Sequence, residues 1–396
     1  MDLTVERVEI LLLVAAVVAV VVRRLRIPYS VGLVIAGGVL SVFGNFPEIG
    51  LTKNLVFNIF LPPLVFEAAL YIRWVELRKD LAVILTLATV GVLLAAGITT
   101  LGMHYLVQWD WASAAVFGIL IAATDPVSVI ATFNEAGVQG RLRLLVEAES
   151  LFNDSTVAIA FSIVVMIAAG GSINGSQIVP SLLLSIIGGI VCGAVFGGGM
   201  LLLSGRTVDH LVELTLTTVV AYGSFLVAEH LHFSGVLASL VAGLLIGNVG
   251  SFGFISHKGR DTLNTFWEYV AFVVNSLIFI LIGIQGTHQM IREVLMPALV
   301  AIGLVLVGRA VAIYLCCALF SRSALRVAWS HQHLLFWGGL RGALALALAL
   351  GLPLEIEHRN EILTIAFAVV TFSLVVQGLT VTPLLRRLGE IKSQAD

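Results

Sequence analysis

Charge is what this sequence has least of. Only 12% of its 396 residues are Asp, Glu, Lys or Arg, while 59% are hydrophobic; an ordinary soluble domain carries about 25% charged residues. A chain this apolar cannot dress a water-facing surface, so soluble folds are excluded. Its apolar runs are instead counted as membrane spans of about 20 residues each. Cysteine is scarce too. Cys192, Cys316 and Cys317 all fall inside apolar runs, which excludes a disulfide framework and a zinc-ligand spacing. Long polar stretches are absent, so a nucleotide-binding, enzymatic or nucleic-acid-binding domain is not expected, and ATP-driven transport has nowhere to bind ATP. The first apolar run follows acidic residues (Asp2, Glu6, Glu9) and precedes Arg23, Arg24 and Arg26. A secretory signal has the opposite polarity, so a retained spanning helix is expected.

Cutting the chain at polar, glycine and proline punctuation predicts an all-α polytopic membrane protein of about thirteen transmembrane helices: 5–22, 28–43, 54–72, 80–106, 112–135, 142–170, 177–203, 210–230, 233–248, 264–286, 294–320, 328–351 and 360–386. The basic residues test this cut, because cytoplasmic loops collect Lys and Arg. With the N-terminus outside, the inner segments hold Arg23, Arg24, Arg26, Arg73, Arg78, Lys79, Arg141, Arg143, Arg206, Lys258, Arg260, Arg322, Arg326, Arg386, Arg387 and Lys392. The outer segments hold only Arg7, Lys53, Arg292 and Arg359. A missed span would scramble this asymmetry downstream.

Two polar interruptions then stand out. Thr124-Asp125-Pro126 lies mid-span in helix 5, where proline removes a backbone donor and the helix should unwind. In helix 12, three glycines surround a buried arginine in Trp337-Gly338-Gly339-Leu340-Arg341-Gly342, which suggests a second break. Helices 5 and 12 are seven spans apart, so they run in opposite directions. Helices 1–6 and 8–13 are therefore read as inverted repeats with crossing broken helices, an arrangement that places a transporter's site at the breaks.

The polar residues around the breaks are candidates for that site. A charged side chain at mid-bilayer costs roughly 2.5–3.5 kcal/mol or more, so carboxylates there need a purpose. In helix 6, Ser150 and Asp154 are four residues apart on one face, with Glu149 and Asn153 on the adjacent stripe. Asp125 can meet the Ser150/Asp154 face. Carboxylates, a hydroxyl and freed carbonyls are hard oxygen ligands, suited to a small hard cation, and a carboxylate so placed can hold a proton or a cation. Arg309 and Arg341 are the interior basic groups. Each is expected to have an acidic partner, since an unpaired buried charge is very costly, and Glu149 is the natural partner of Arg309. Glu67, in helix 3, either lines an access path or pairs structurally. Glu213, Glu229 and Glu268 lie nearer helix ends and read as structural or interfacial.

These residues carry a resemblance. The Leu61-Pro62-Pro63 segment leading to Glu67, Thr124-Asp125-Pro126, Glu149-Ser150-Leu151-Phe152-Asn153-Asp154, Ser234-Gly235-Val236-Leu237-Ala238, Phe266-Trp267-Glu268 through Asn275, and Gly338-Gly339-Leu340-Arg341-Gly342 resemble the monovalent cation/proton antiporter-1 family, the sodium/proton exchangers of prokaryotic type. The resemblance implies an ion-binding core of helices 4–6 and 11–13 (about 80–170 and 294–386). It implies a second domain of helices 1–3 and 8–10 (about 5–72 and 210–286) that forms a homodimer. Asp154 would alternately bind cation and proton, with Asp125, Ser150 and the Thr124 carbonyl completing the site for Na⁺. Asn153 would hold the crossing helices, Glu149 would pair with Arg309, and access would alternate by an elevator movement. Ser155 departs from the family, where glycine is common. No cofactor is implied beyond the transported Na⁺ and H⁺, and the implied location is the plasma (inner) membrane.

Three functions remain in view: an antiporter exchanging Na⁺ (or Li⁺ or K⁺) for H⁺, a cation channel, and an intramembrane enzyme. Ligands clustered on crossing helices of one chain favour a closed site over a continuous pore, and no nucleophile–base pair accompanies the acids. The charge asymmetry gives a first testable expectation. A reporter fused after Lys392 is active on the cytoplasmic side and one fused at the N-terminus on the outer side; activity of the Lys392 fusion on the outer side alone would remove the thirteen-helix reading.

Overall fold

A computed structural model describes residues 5–25, 27–43, 51–168, 175–205, 209–250, 257–287 and 294–391. Arg26, Arg206, Arg292 and Lys392, counted in the charge asymmetry, lie outside these residues. The described residues form helices and no strand. In chain order the rods are α1 (Val5–Leu25), α2 (Tyr29–Phe43), α3 (Leu55–Tyr71), α4 (Trp74–Val107), the two halves of α5 (Trp111–Leu120 and Val127–Ala136), α6 (Arg141–Ala168) and α7 (Gly175–Ser204). They continue with α8 (His210–His230), α9 (Gly235–Val249), α10 (His257–Thr287), α11 (Leu295–Leu319), the halves of α12 (Trp329–Trp337 and Ala343–Leu350) and α13 (Arg359–Arg387). Seven of them are long and apolar enough to cross a bilayer unaided by their neighbours. The interruptions fall in the fifth and twelfth rods, equivalent positions of two six-helix halves.

Local chemistry explains each break. Pro126 does not kink a continuous helix; it opens a new one. Asp125 stands just before it and accepts the Val127 amide, the first of the second half of α5, on Oδ1 at 3.0 Å, while the Pro126 carbonyl takes the Ile130 amide at 2.8 Å; at the head of a helix the donor that proline lacks costs nothing. In α12 the first half closes with the Gly338 amide on the Leu334 carbonyl, 2.7 Å, and Gly342 is extended before the second half starts. Helix α13 bridges a different irregularity. Its residues Ser373–Gln377 form a π-helical turn, a widening that often marks functional positions.

Two compact units emerge. The first comprises Met1–Lys53, Asp80–Gly171 and Asn275–Asp396; the second, Asn54–Lys79 and Ser172–Val274. Within the first, α4 and α11 approach closely where Gly308 faces the Ala95 carbonyl, and Gly37 of α2 faces Gly283 of α10. At the polar end, Arg141 donates to Asp80 at 2.7 and 3.0 Å and to the Leu325 and Arg326 carbonyls at 2.9 and 2.7 Å, which ties α4, α6 and the segment after α11 together. Within the second unit, Gly189, Gly193 and Gly197 of α7 face Ser234, Ala238 and Ala242, while Gly243 and Gly247 of α9 face Phe66 and Leu70. Such four-residue spacings let backbones touch where no hydrophobic drive exists between helices in lipid. Ser239 donates to the Pro62 carbonyl at 3.1 Å, answering one carbonyl of the proline-rich turn.

Glu213 is buried, 1% exposed, in the first turn of α8, where an acid is favoured by the helix dipole. Glu229 accepts the Gly235 amide at 3.0 Å where α8 turns into α9.

The α2–α10 contact yields a stability test. A Cβ on Gly283 would press into the Val34 carbonyl and lie 3.0 Å from the Gly37 Cα, backbone that cannot yield cheaply. Gly283→Ala is expected to lose about 1–3 kcal/mol, seen as a lower thermal midpoint in detergent. Gly303→Ala, whose added carbon meets nothing within 4 Å, serves as the control and leaves the midpoint unchanged or slightly raised.

Candidate functional site

The two breaks meet. The Asp125 amide donates to the Leu340 carbonyl at 2.7 Å, joining the interruption of α5 to that of α12 by main chain alone. Beside this contact runs the polar stripe of α6. The Thr124 and Ser150 hydroxyls are 3.1 Å apart. Asn153 donates through Nδ2 to the Thr124 hydroxyl at 3.1 Å and to the Ala122 carbonyl at 3.3 Å, linking α6 to the end of the first half of α5. Thr124, Ser150, Asn153 and Asp154 are all buried.

Asp154 is the unusual member. Its Oδ1 is buried without a hydrogen-bond partner, and so is the Asn153 Oδ1. Both are acceptors, and a buried acceptor left unmade costs about 1–3 kcal/mol, more when charged. The Asp125 and Glu149 carboxylates both act on Asp154 electrostatically. Among the described residues no ion pair involves Asp125 or Asp154, and no cluster of three or more His, Cys, Asp or Glu suits a metal ion. What converges here is two carboxylates, two hydroxyls and an amide oxygen: hard oxygens that can take a desolvated monovalent cation or a proton.

The two interior arginines are treated differently. Arg309 meets Glu149 in a fork, Nη1 to Oε1 at 2.8 Å and Nη2 to Oε2 at 2.9 Å, and gives a further bond to the Leu335 carbonyl at 3.0 Å. Such bidentate, charge-assisted geometry is the strong form of an ion pair. Arg341 does not meet an acid. Its Nη1 donates to the Ala122 and Ala123 carbonyls at 2.6 and 3.0 Å. These are the bare carbonyls at the C-terminal end of the first half of α5, where the helix dipole is negative; the broken helix end takes the place of the expected carboxylate. Glu67 lies on α3 in the second unit, half-buried.

Three features escaped the sequence reading. The Arg341 amide donates to the Ser373 hydroxyl at 3.0 Å, that hydroxyl donates to Gln377 at 2.6 Å, and Gln377 donates to the Trp337 carbonyl at 3.2 Å. Ser373 and Gln377 thereby satisfy the backbone on both sides of the α12 break from the π-helical turn of α13. The third is the purpose of the glycines. A Cβ on Gly339 would meet the Arg309 guanidinium, and one on Gly342 would collide with the Asp125 carboxylate. The only advance signal was the pair of polar residues, Ser373 and Gln377, spaced by four in an apolar run.

Comparison with known proteins places this geometry in a family. The family described as sodium/hydrogen exchanger, transmembrane, matches residues 10–387. The chain is 39% identical over 377 residues to the Na⁺/H⁺ antiporter ApNhaP of Aphanothece halophytica, covering 93% of this chain and 71% of that one. It is 33% identical over 399 residues to the Na⁺/H⁺ antiporter NhaH of Halobacillus aidingensis, covering 96% and 98%. Its fold matches that of the sodium proton antiporter MjNhaP1 of Methanocaldococcus jannaschii with a TM-score of 0.78 at 20% identity, over 97% and 98% of the two chains. The chain is thus a multi-pass membrane protein of the transporter class, and it belongs to the transmembrane sodium/hydrogen exchanger family. Its relatives are named as antiporters, not enzymes.

The arginine fork supplies the test of this subsection. Arg309→Ala leaves Glu149 buried, 1% exposed, without its cation; removing one partner of a buried pair costs on the order of 3–5 kcal/mol. The thermal midpoint should fall sharply, and Glu149→Gln combined with Arg309→Gln should recover much of it. A wild-type midpoint in Arg309→Ala would mean that the fork contributes nothing to the fold.

Proposed function

We propose that the protein is a secondary antiporter that exchanges Na⁺ for H⁺ across the membrane, with both ions competing for Asp154. The observation that carries this reading is the buried Asp154 oxygen with no hydrogen-bond partner, within electrostatic reach of the Asp125 carboxylate and beside the crossing of two broken helices. A neutral, protonated Asp154 is tolerable in that setting, and so is a carboxylate neutralised by a cation. A bare charge is not. The two occupied states therefore exclude each other, which is the requirement for coupled exchange. Asp125, Ser150 and Thr124 would supply the remaining oxygens to the cation, and Asn153 would keep α6 fixed to the α5 break. Glu149 and Arg309 neutralise one another and hold the frame without binding the cargo. Glu67 would line the access path.

The antiporter names of the relatives support Na⁺ as the cation. Li⁺ and K⁺ are further cargo to be compared with it, K⁺ being the alternative principal substrate. The family resemblance implies alternating access by an elevator-type movement of α4–α6 with α11–α13, in a homodimer in the plasma membrane, and the basic asymmetry of the loops puts the C-terminus on the cytoplasmic side. The transported ions are substrates, and no resident cofactor enters the scheme.

Competition makes the reading testable in proteoliposomes with a pH-sensitive dye. Lowering pH should raise the apparent KM for Na⁺, by up to about tenfold per pH unit where protons dominate the site, with little change in maximal rate at saturating Na⁺. Asp154→Asn keeps the shape but cannot ionise, so exchange should vanish while the protein stays folded. Asp125→Asn should impair cation binding, and Ser150→Ala should have a milder effect because a neutral oxygen gives less to the cation than a carboxylate. Robust Na⁺-driven proton flux in Asp154→Asn would overturn the assignment, and conduction without coupling to protons would favour a channel.

A further inference from the structure

Away from the breaks, the first unit has a groove of about 420 Å³ between α11, the first half of α12, and α13. Tyr314, Phe336, Trp337 and Leu384 give it an apolar and aromatic wall, and Arg387 stands at one end. From Thr380 to Arg387 the groove follows two turns of α13, about 10 Å of helix. The surface around it is apolar as well: Val311, Leu315, Trp329 and Leu379 are all exposed, which in a bilayer-spanning protein is surface that lipid covers.

Four polar side-chain atoms of the wall are already engaged with one another. The Tyr314 hydroxyl and His333 Nδ1 are 2.6 Å apart, and Trp337 Nε1 donates to the Thr380 hydroxyl at 2.8 Å. A peptide segment laid in this groove would therefore find few partners for its backbone. An aliphatic chain needs none. The charged group that faces the cavity is the Arg387 guanidinium, whose planar fork matches a phosphate. Arg387 and Arg386 end α13, where basic residues mark the cytoplasmic boundary, and Tyr and Trp are the residues that settle at headgroup level. Basic pockets between membrane helices on that side suit anionic headgroups.

We propose that this groove binds one anionic phospholipid, its phosphate on Arg387 and the first part of an acyl chain along Tyr314, Phe336 and Trp337. The inference is independent of the exchange reading: a lipid can sit here whatever the protein transports, and failure of either leaves the other standing.

Native mass spectrometry of the detergent-purified full chain tests it, with phosphatidylglycerol, phosphatidylcholine and inorganic phosphate as probes. The wild-type chain should retain one phosphatidylglycerol in preference to phosphatidylcholine, and millimolar phosphate should not displace it. Arg387→Gln should weaken phosphatidylglycerol retention about tenfold, the usual scale of one charge-assisted contact, while Arg386→Gln, one residue outside the groove, should not. Leu384→Trp, which fills the groove, should reduce retention of both lipids. Equal retention of the two lipids by the wild-type chain, equal loss in Arg386→Gln and Arg387→Gln, or an unchanged Leu384→Trp would overturn the proposal. Displacement by inorganic phosphate would reduce the site to a simple anion contact and overturn it too.

Discussion

The hydrogen bond from the Asp125 amide to the Leu340 carbonyl ties together two helices that both stop inside an apolar slab. Each stop frees amides and carbonyls, and at membrane depth such groups survive only where protein answers them or a water-filled cavity reaches them. Most of the local chemistry is that answer. Arg341 takes the Ala122 and Ala123 carbonyls at the end of the first half of α5, Ser373 takes the Arg341 amide, Gln377 takes the Trp337 carbonyl, and Asn153, from α6, shares the Ala122 carbonyl with Arg341. The crossing is therefore held by a closed set of partners drawn from α5, α6, α12 and α13, and not by apolar packing alone.

Against that background, the three carboxylates at the crossing divide by what they touch. Glu149 is bound by both arms of a guanidinium. Asp125 spends one oxygen on the start of a helix. Asp154 has an oxygen that no described residue satisfies. Side chains of similar intrinsic acidity thus take three separate jobs through their partners: frame, cap and open ligand. Arg309 and Arg341 show the same division among the cations, one answering an acid and the other a helix end.

Much of this was legible in the sequence because membrane helices write their limits plainly. Span 28–43 corresponds to Tyr29–Phe43, 294–320 to Leu295–Leu319 and 210–230 to His210–His230, since apolar length and loop charge are strong signals. The breaks were legible from Pro126 and from the glycines around Arg341. What lay beyond reach was anything decided by which atoms meet across space. No one-dimensional pattern says that Gly339 makes room for Arg309 and Gly342 for Asp125, or that Arg341 would choose carbonyls over an acid. Ser373 and Gln377 were hidden for another reason: single polar residues in an apolar run are ordinary, and only the π-helical turn aims them at the break.

The capping of α5 by Asp125 has a mechanical corollary. A carboxylate at a helix N-terminus is held there partly by its charge, so whatever neutralises Asp125, a proton or a shared cation, also loosens its hold on the Val127 amide. Occupancy of the crossing and stiffness of the first turn of the second half of α5 are then one variable. On the proposed exchange reading, the helix end would act as a strain gauge for the ion, reading charge as conformational freedom.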